Sequence, residues 1–472
     1  MVLLAAMFGS AAAAQQRPPK AATPKERATR SFTTDDGSRF VLVVDDSLRQ
    51  LHWATATWND GGDDPPGLEG LTEATLLAAR GGTWPHGSKD EAAERAALEA
   101  LDAAWHEKLL HPQDPAAVAR VVECDQAAAR LGDPRTFPRV LAAAPAHRPE
   151  VLLREPVAVH VVTTIEEALP DVAALLVERR EQQPLRGLYR AWTEVVLARA
   201  AKRAGNPAGR LHAELLALMM PLTPAGRQLE APPAIAVPRR AQALACWQAT
   251  QHPTRTVHLL FGAMDADRAE AVLRAAFATT LLPAPQVATA PPPRPLTAER
   301  RSIVDGADRP RLAIAWALPP GFDRWTIEVA ARWLGDAQLT QRMARAGHQN
   351  AEVTVRAPWP RTIDGASMLL VDVADPDGIE GLLEIVLETC RAAAKRDLTD
   401  GAVYQANMAL QHDWNLHAND PRQLAAALAE HALLWPTATT ETGAPPRVKG
   451  ADVSRLLRRT FAGRPAVVEG RR

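Results

Sequence analysis

The chain has 472 residues, too many for one ordinary hydrophobic core, and a length of this kind implies two to four domains. With 47% apolar and 23% charged residues, and 54 Lys+Arg against 55 Asp+Glu, it has a globular composition without the basic excess of a nucleic-acid binder or the acidic excess of a disordered tail. Three distant cysteines (Cys124, Cys246 and Cys390) make neither a disulfide framework nor a CxxC knuckle.

In chain order, Met1 to Gln16 (MVLLAAMFGSAAAAQQ) is a short apolar run followed by small residues. Ala12-Ala13-Ala14 offers an A-x-A cleavage site, so residues 1–14 resemble a signal peptide, although the basic n-region is missing. A periplasmic or secreted location follows from that resemblance, with the cytoplasm as the alternative. No other stretch holds about 18 uninterrupted apolar residues, so no membrane span is expected. Residues 15–30, polar with Pro and Lys/Arg, read as a linker. Strands are expected at Arg39 to Val44 and His52 to Trp58, before the turn-rich Asn59 to Gly67. Helices are expected at 67–80, 90–109 and 114–130, a strand at Val157 to Thr163, and helices at 165–180 and 186–204. Thr256 to Met264 is a further strand, with a helix from Asp265 to Phe277 behind it.

The Pro-rich stretch 283–298 is the clearest linker, expected to be extended and semi-rigid. It separates an N-terminal domain (31–282) from a C-terminal domain (299–472) in which the pattern restarts. There, strands are expected at Arg311 to Leu318 and Met368 to Val373, with a short last one at Val467 and Val468. Helices are expected at Trp325 to Leu334, at Ile379 to Lys395, where Cys390 takes a core position, and across 398–435. Each half mixes strands and helices without strict alternation, which makes the class α+β.

The order of these pieces resembles the M16 (pitrilysin/insulinase-like) metallopeptidase family. Pro66-Gly67-Leu68, Gly70-Leu71-Thr72-Glu73 and Gly82-Thr83 are similar to that family's PGLxGLxHFLEHMLFxGT frame. Phe261-Gly262-Ala263-Met264-Asp265 is similar to VVVGDVD, and Arg311 to Pro320 resembles hxxxGFxxPP. Trp333-Leu334-Gly335 with Leu339 to Arg342 resembles LGGGxSSRLYQRLRE. The resemblance covers about 32–470 and implies two similar metallopeptidase-like α/β domains, each a mostly antiparallel sheet covered by helices. A helical insertion at about 85–150 departs from it.

The same resemblance implies zinc, held by an HxxEH helix and a Glu on a later helix, with the motif's Glu as general base. Carried over residue by residue, the first His falls on Glu73, the base on Leu76, the second His on Leu77 and the later Glu at or beside Ala198-Arg199. Two leucines offer no lone pair and an arginine repels a cation, so neither a catalytic residue nor a metal ligand is assigned and no cofactor is expected. The pairs His106/His111 and His412/His417 stand at i, i+5, about 140° apart on a helix, and make poor chelators. His258, in an apolar strand, reads as a core histidine. Some silent M16 subunits supply an Arg and a Tyr to substrate; here Arg342 and Arg345 flank the Arg position and Asn350 takes the Tyr position. The two arginines are therefore the substrate-binding candidates, with a solvated helix face as the alternative.

The function implied is a catalytically inactive M16-like subunit that helps enclose a peptide. Its partner would be a subunit with an intact HxxEH, or a second copy of itself. A stand-alone peptide-binding or scaffold protein is the alternative, and a zinc peptidase with a rebuilt metal site is a third reading. No phosphate cradle or GxSxG elbow marks another chemistry.

Overall fold

The computed structural model describes residues 28–58, 64–65, 67–144, 147–154, 157–205, 207–220, 236–278, 296–307, 309–360, 367–435 and 445–471. The leader-like segment 1–14 and most of the linker 283–298 lie outside the described residues.

Two sheets organise the molecule. The first contains β1 (Ala28–Thr33), β2 (Arg39–Val44), β3 (Leu51–Trp58), β4 (His147–Arg154), β5 (Val157–Thr164) and β6 (Thr256–Gly262), in the order β1-β2-β6-β3-β5-β4. The second contains β7 (Arg300–Asp305), β8 (Arg311–Ala317), β9 (Glu352–Trp359), β10 (Met368–Ala374) and β11 (Ala466–Arg471), in the order β7-β11-β8-β10-β9. The orders superpose strand for strand from β2 onward. In each sheet one parallel pair (β2 with β6, β7 with β11) is followed by antiparallel neighbours. The two halves are therefore topological repeats, with β1 added to the first.

The central strands are those the sequence makes plain, because burial on both faces demands continuous apolar runs: β6 and β10 are buried at every position. The edges β1, β7 and β9 alternate between exposed and half-buried residues, so their apolar signal is weak. This is why β1 reaches into the stretch read as the 15–30 linker. Likewise, the stretch read as a helical insertion at 85–150 stops being helical at Ala143, and β4 begins at His147.

The helices of the first half are α1 (Leu71–Ala78), α2 (Glu91–Leu110), α3 (Pro115–Leu131), α4 (Thr136–Ala143), α5 (Leu169–Glu181), α6 (Leu188–Gly205), α7 (Pro207–Met219), α8 (Arg240–Thr250) and α9 (Ala266–Ala276). Asp90, Asp114 and Asp265 start α2, α3 and α9 by accepting first-turn amide hydrogen bonds. The α2–α3 hairpin is tied down by the buried Arg186, which meets the Glu94 carboxylate at 2.6 and 2.9 Å and donates to the carbonyls of Gly81 and Thr83 at 3.0 Å.

In the second half, α10 (Arg324–Arg332) passes through a π-helical segment (Trp333–Leu339) into α11 (Thr340–Arg345). Gly335 lets this segment lie against β9, since a Cβ there would stand 3.2 Å from Val355 Cγ2. Then come α12 (Leu382–Ala394), α13 (Tyr404–Ala418), α14 (Pro421–Leu434) and α15 (Gly450–Thr460). The helical stretch expected over 398–435 holds a helix pair, divided where the Asp420 side chain caps the second helix with Pro421 in its first turn.

The halves exchange one helix each. From the first half, α7 lies on the second sheet, where Leu211, Leu215 and Met219 pack with Ala313, Ala315, Leu370 and Val468. From the second half, α14 lies on β3, β5 and β6, and every residue from Leu424 to Leu434 is buried. The small residues Ala425, Ala426, Ala429 and Ala432 let it join Val159, Val161, Leu259 and Phe261 in one core that continues into the second half. Full burial of each leucine is worth about 1.5–3 kcal/mol, so removing either half uncovers one face of the other half's sheet, whereas the cluster around Phe40, Trp53 and Leu169 lies wholly within the first half.

Candidate functional site

The site to which the resemblance points is built from α1 and α6. The first turn of α1 is held by a buried carboxylate: Asp64 accepts from the Gly70 amide at 2.6 Å, the Thr72 amide at 2.8 Å and Thr72 Oγ1 at 2.6 Å. Burial pushes the Asp64 pKa up, against the pull of those hydrogen bonds and of the Arg199 charge. Gly70 has a positive φ of 107°, and a Cβ there would stand 2.8 Å from Val195 Cγ1 on α6, so glycine sets both the turn and the close helix approach.

Position 73 faces α6. Arg199 Nε lies 3.3 Å from Glu73 Oε2, with side chains 25% and 30% exposed. Leu76 and Leu77 are partly buried against a cluster that contains Leu71, Ala74, Leu188, Trp192, Val195 and Trp247. Residues 73 and 77 are one helical turn apart on one face. The structure thus brings Glu73 and Arg199 together and sets an apolar wall beside them.

Zinc does not fit this donor set. A catalytic zinc takes three N, O or S ligands at about 2.0–2.3 Å. Here Glu73 already faces a guanidinium, Leu76 and Leu77 carry no donor atom, and the Asp64 carboxylate is occupied in capping α1. Among the described residues no group of three or more His, Cys, Asp or Glu side chains is placed to hold a metal ion.

The other sequence candidates are dispersed. His106 Nδ1 donates to the Asp102 carbonyl at 2.7 Å, whereas His111 is the residue that ends α2. His258 stacks on Phe40 at 4.8 Å between ring centroids and receives the Trp53 indole N–H at 3.3 Å; burial pushes its pKa down to about 3. Cys390 belongs to the core, and burial pushes its thiol up. Arg342 is exposed, 3.7 Å from Glu388; Arg345 is exposed on the same helix; Asn350 Nδ2 approaches Asp377 at 3.4 Å.

Two features escaped sequence reasoning. Asp64 sits in a Gly/Asp/Pro run that reads as an ordinary turn, and only its distance from Gly70 and Thr72 reveals the cap. The second is the contact of His212 Nε2 with Asp372 Oδ2 at 2.8 Å, which joins residues 160 apart through the exchanged α7.

No family model matches the sequence, and no curated protein does; the likenesses are structural. A protease from Helicobacter pylori superposes with a TM-score of 0.63 at 11% identity, over 94% of this chain and 99% of that one. An inactive domain of a peptidase M16 from Pseudomonas fluorescens gives 0.62 at 12%, over 94% and 98%. The fold is that of the M16-like peptidases. The periplasmic protease PqqL from Escherichia coli gives 0.66 at 12% identity, over 99% of this chain but 48% of PqqL. The chain thus spans about half of PqqL and carries one two-sheet M16-like unit. Among the described residues no helix is long and apolar enough to cross a membrane.

Proposed function

We propose that this chain is a non-catalytic M16-like subunit that binds peptide by enclosing it together with a second M16-like unit bearing an intact HxxEH. The observation that carries the reading is the Glu73–Arg199 ion pair beside Leu76 and Leu77, at the place where the resemblance puts the metal and the general base. An ion pair in an apolar wall has no open coordination position and no group to activate water. The length relation to PqqL supports a partner of the same size, because that protein carries about twice the length aligned here. The periplasm is the proposed location, in keeping with the leader-like start and with the location stated for PqqL. Arg342 and Arg345 are the proposed peptide contacts, since they are exposed guanidiniums on a short helix.

The test is to purify the chain alone and together with an HxxEH unit encoded beside it, and to assay an unstructured peptide library. Cleavage is expected from the pair, with none from this chain alone and a raised KM when it is left out. Metal-dependent cleavage by the isolated chain, abolished by E73Q, would overturn the reading.

A further inference from the structure

Away from α1, where the exchanged α7 crosses the second sheet, a cavity of about 180 Å3 opens between the first turns of α7 and the strands β8, β10 and β9. That is several times the ~30 Å3 one water occupies in the liquid. Its lining is almost wholly polar and carries both signs: His212 from α7, Arg311 from β8, Asp372 from β10, and Glu352, Thr354 and Arg356 from β9. Asp372 forms the floor, with His212 Nε2 at 2.8 Å and an Arg311 guanidinium nitrogen at 3.9 Å. Glu352 is drawn to one side by Arg309, at 2.5 Å. Arg356 is exposed on the rim.

The charges limit what can enter. Guanidiniums (Arg311 and Arg356) and carboxylates (Asp372 and Glu352) stand around one space. A multiply charged anion would meet Asp372 and Glu352, and a plain cation would meet the arginines. A ligand carrying one carboxylate and one ammonium a few ångströms apart satisfies both signs, the carboxylate forked on arginine and the ammonium on a carboxylate.

We propose that this cavity binds an α-amino acid in its zwitterionic form, free or as the terminal unit of a very short peptide. The carboxylate lies toward Arg311 and Arg356, and the ammonium toward Asp372 and Glu352. The site needs both halves of the molecule, because α7 supplies one wall. It stands apart from the enclosure of peptide proposed above and neither requires nor excludes it.

Saturation-transfer NMR on the full chain tests this with the twenty L-amino acids singly, then with the best binder as its amide, as its N-acetyl derivative, and as the C-terminal residue of a dipeptide. Saturable binding of at least one amino acid is expected, weakened tenfold or more by amidation and by N-acetylation. R356A is expected to weaken binding tenfold or more without altering the melting temperature, and R356K to restore part of it. A dipeptide that binds as well as the free amino acid assigns the site to peptide ends; one that does not assigns it to free amino acids, and either result supports the proposal. Absence of saturable binding by all twenty, undiminished binding of the N-acetyl derivative (a simple anion site), or unchanged affinity in R356A would each overturn it.

Discussion

Neutralising Glu73, Arg199 and both, as E73Q, R199Q and the double variant, isolates the electrostatic contact at the place where the sequence resemblance puts the metal. The nitrogen–oxygen separation is 3.3 Å. At that distance the bare attraction in an effective dielectric of about 20 is roughly 5 kcal/mol. Most of it is cancelled by desolvation and by the ordering of two long side chains, and exposed pairs retain about 0.2–1 kcal/mol. With a quarter to a third of each side chain exposed, this pair belongs at the upper end, and a coupling of about 1 kcal/mol is expected. At roughly 2.1 cal/mol/K per residue, a chain of this length has an unfolding entropy near ~1 kcal/mol/K, so the coupling moves the melting temperature by only about 1 °C. Urea unfolding is therefore the assay, run as a double-mutant cycle at low and high NaCl, with the coupling shrinking as salt rises. The reversed pair E73R/R199E should recover part of the loss. Single variants as stable as the parent, or a coupling insensitive to salt, would refute the view that an ion pair ties α1 to α6 here.

Three further outcomes follow from the same geometry. After dialysis against zinc and buffer, the parent chain should retain well under 0.1 equivalents by elemental analysis, whereas E73H/L77H/R199E, which restores two His one turn apart and an acidic group on α6, should retain close to one. Leu433, fully buried on α14, should cost about 2–5 kcal/mol when changed to Ala; because that helix serves the first sheet while belonging to the second half, tryptophan fluorescence and far-UV circular dichroism should shift together in urea. His431, stacked between Trp325 at 5.7 Å and Trp435 at 5.6 Å, has its pKa pushed down to about 4 by burial, ahead of the Arg324 charge. The unfolded chain binds that proton first, so this contribution to stability is complete above about pH 6.5 and is lost as pH falls toward 4; H431F should flatten the stability profile across that window, and an unchanged slope would count against a neutral buried ring.

The legible and illegible parts of the molecule divide along physical lines. Central strands such as β5 and β8 stand out because both faces are covered, and helices such as α3 and α9 because an aspartate cap precedes an amphipathic stretch. The edges β1, β7 and β9 do not stand out, because half of each strand faces water and its residues are chosen for solubility as much as for packing. The apolar stripe Leu211, Leu215 and Met219 shows only that α7 has a buried face; that the face belongs to strands about 100 to 250 residues further on is a tertiary fact. The candidate site was legible as a set of substitutions at 73, 76, 77 and 199, through resemblance. The pairing of Glu73 with Arg199 spans 126 residues and is visible only once α1 and α6 are packed.

The exchange of helices also ties the new cavity to the rest of the molecule. Arg199 lies on α6, which ends at Gly205; α7 begins at Pro207 and carries His212 into the cavity wall. A ligand in that cavity binds the folded chain only, because the unfolded chain has no cavity. At a hundredfold excess over its Kd it should therefore stabilise the protein by about 2.7 kcal/mol. Because α14 covers one face of the first sheet and α7 one face of the second, this gain is expected to reach both halves. Hydrogen exchange should slow in β3 and β6 as well as in β8 and β10 when the best-binding amino acid is added. Protection confined to β8, β9 and β10 would mean that the halves unfold separately, and that the exchanged helices are surface attachments rather than shared core.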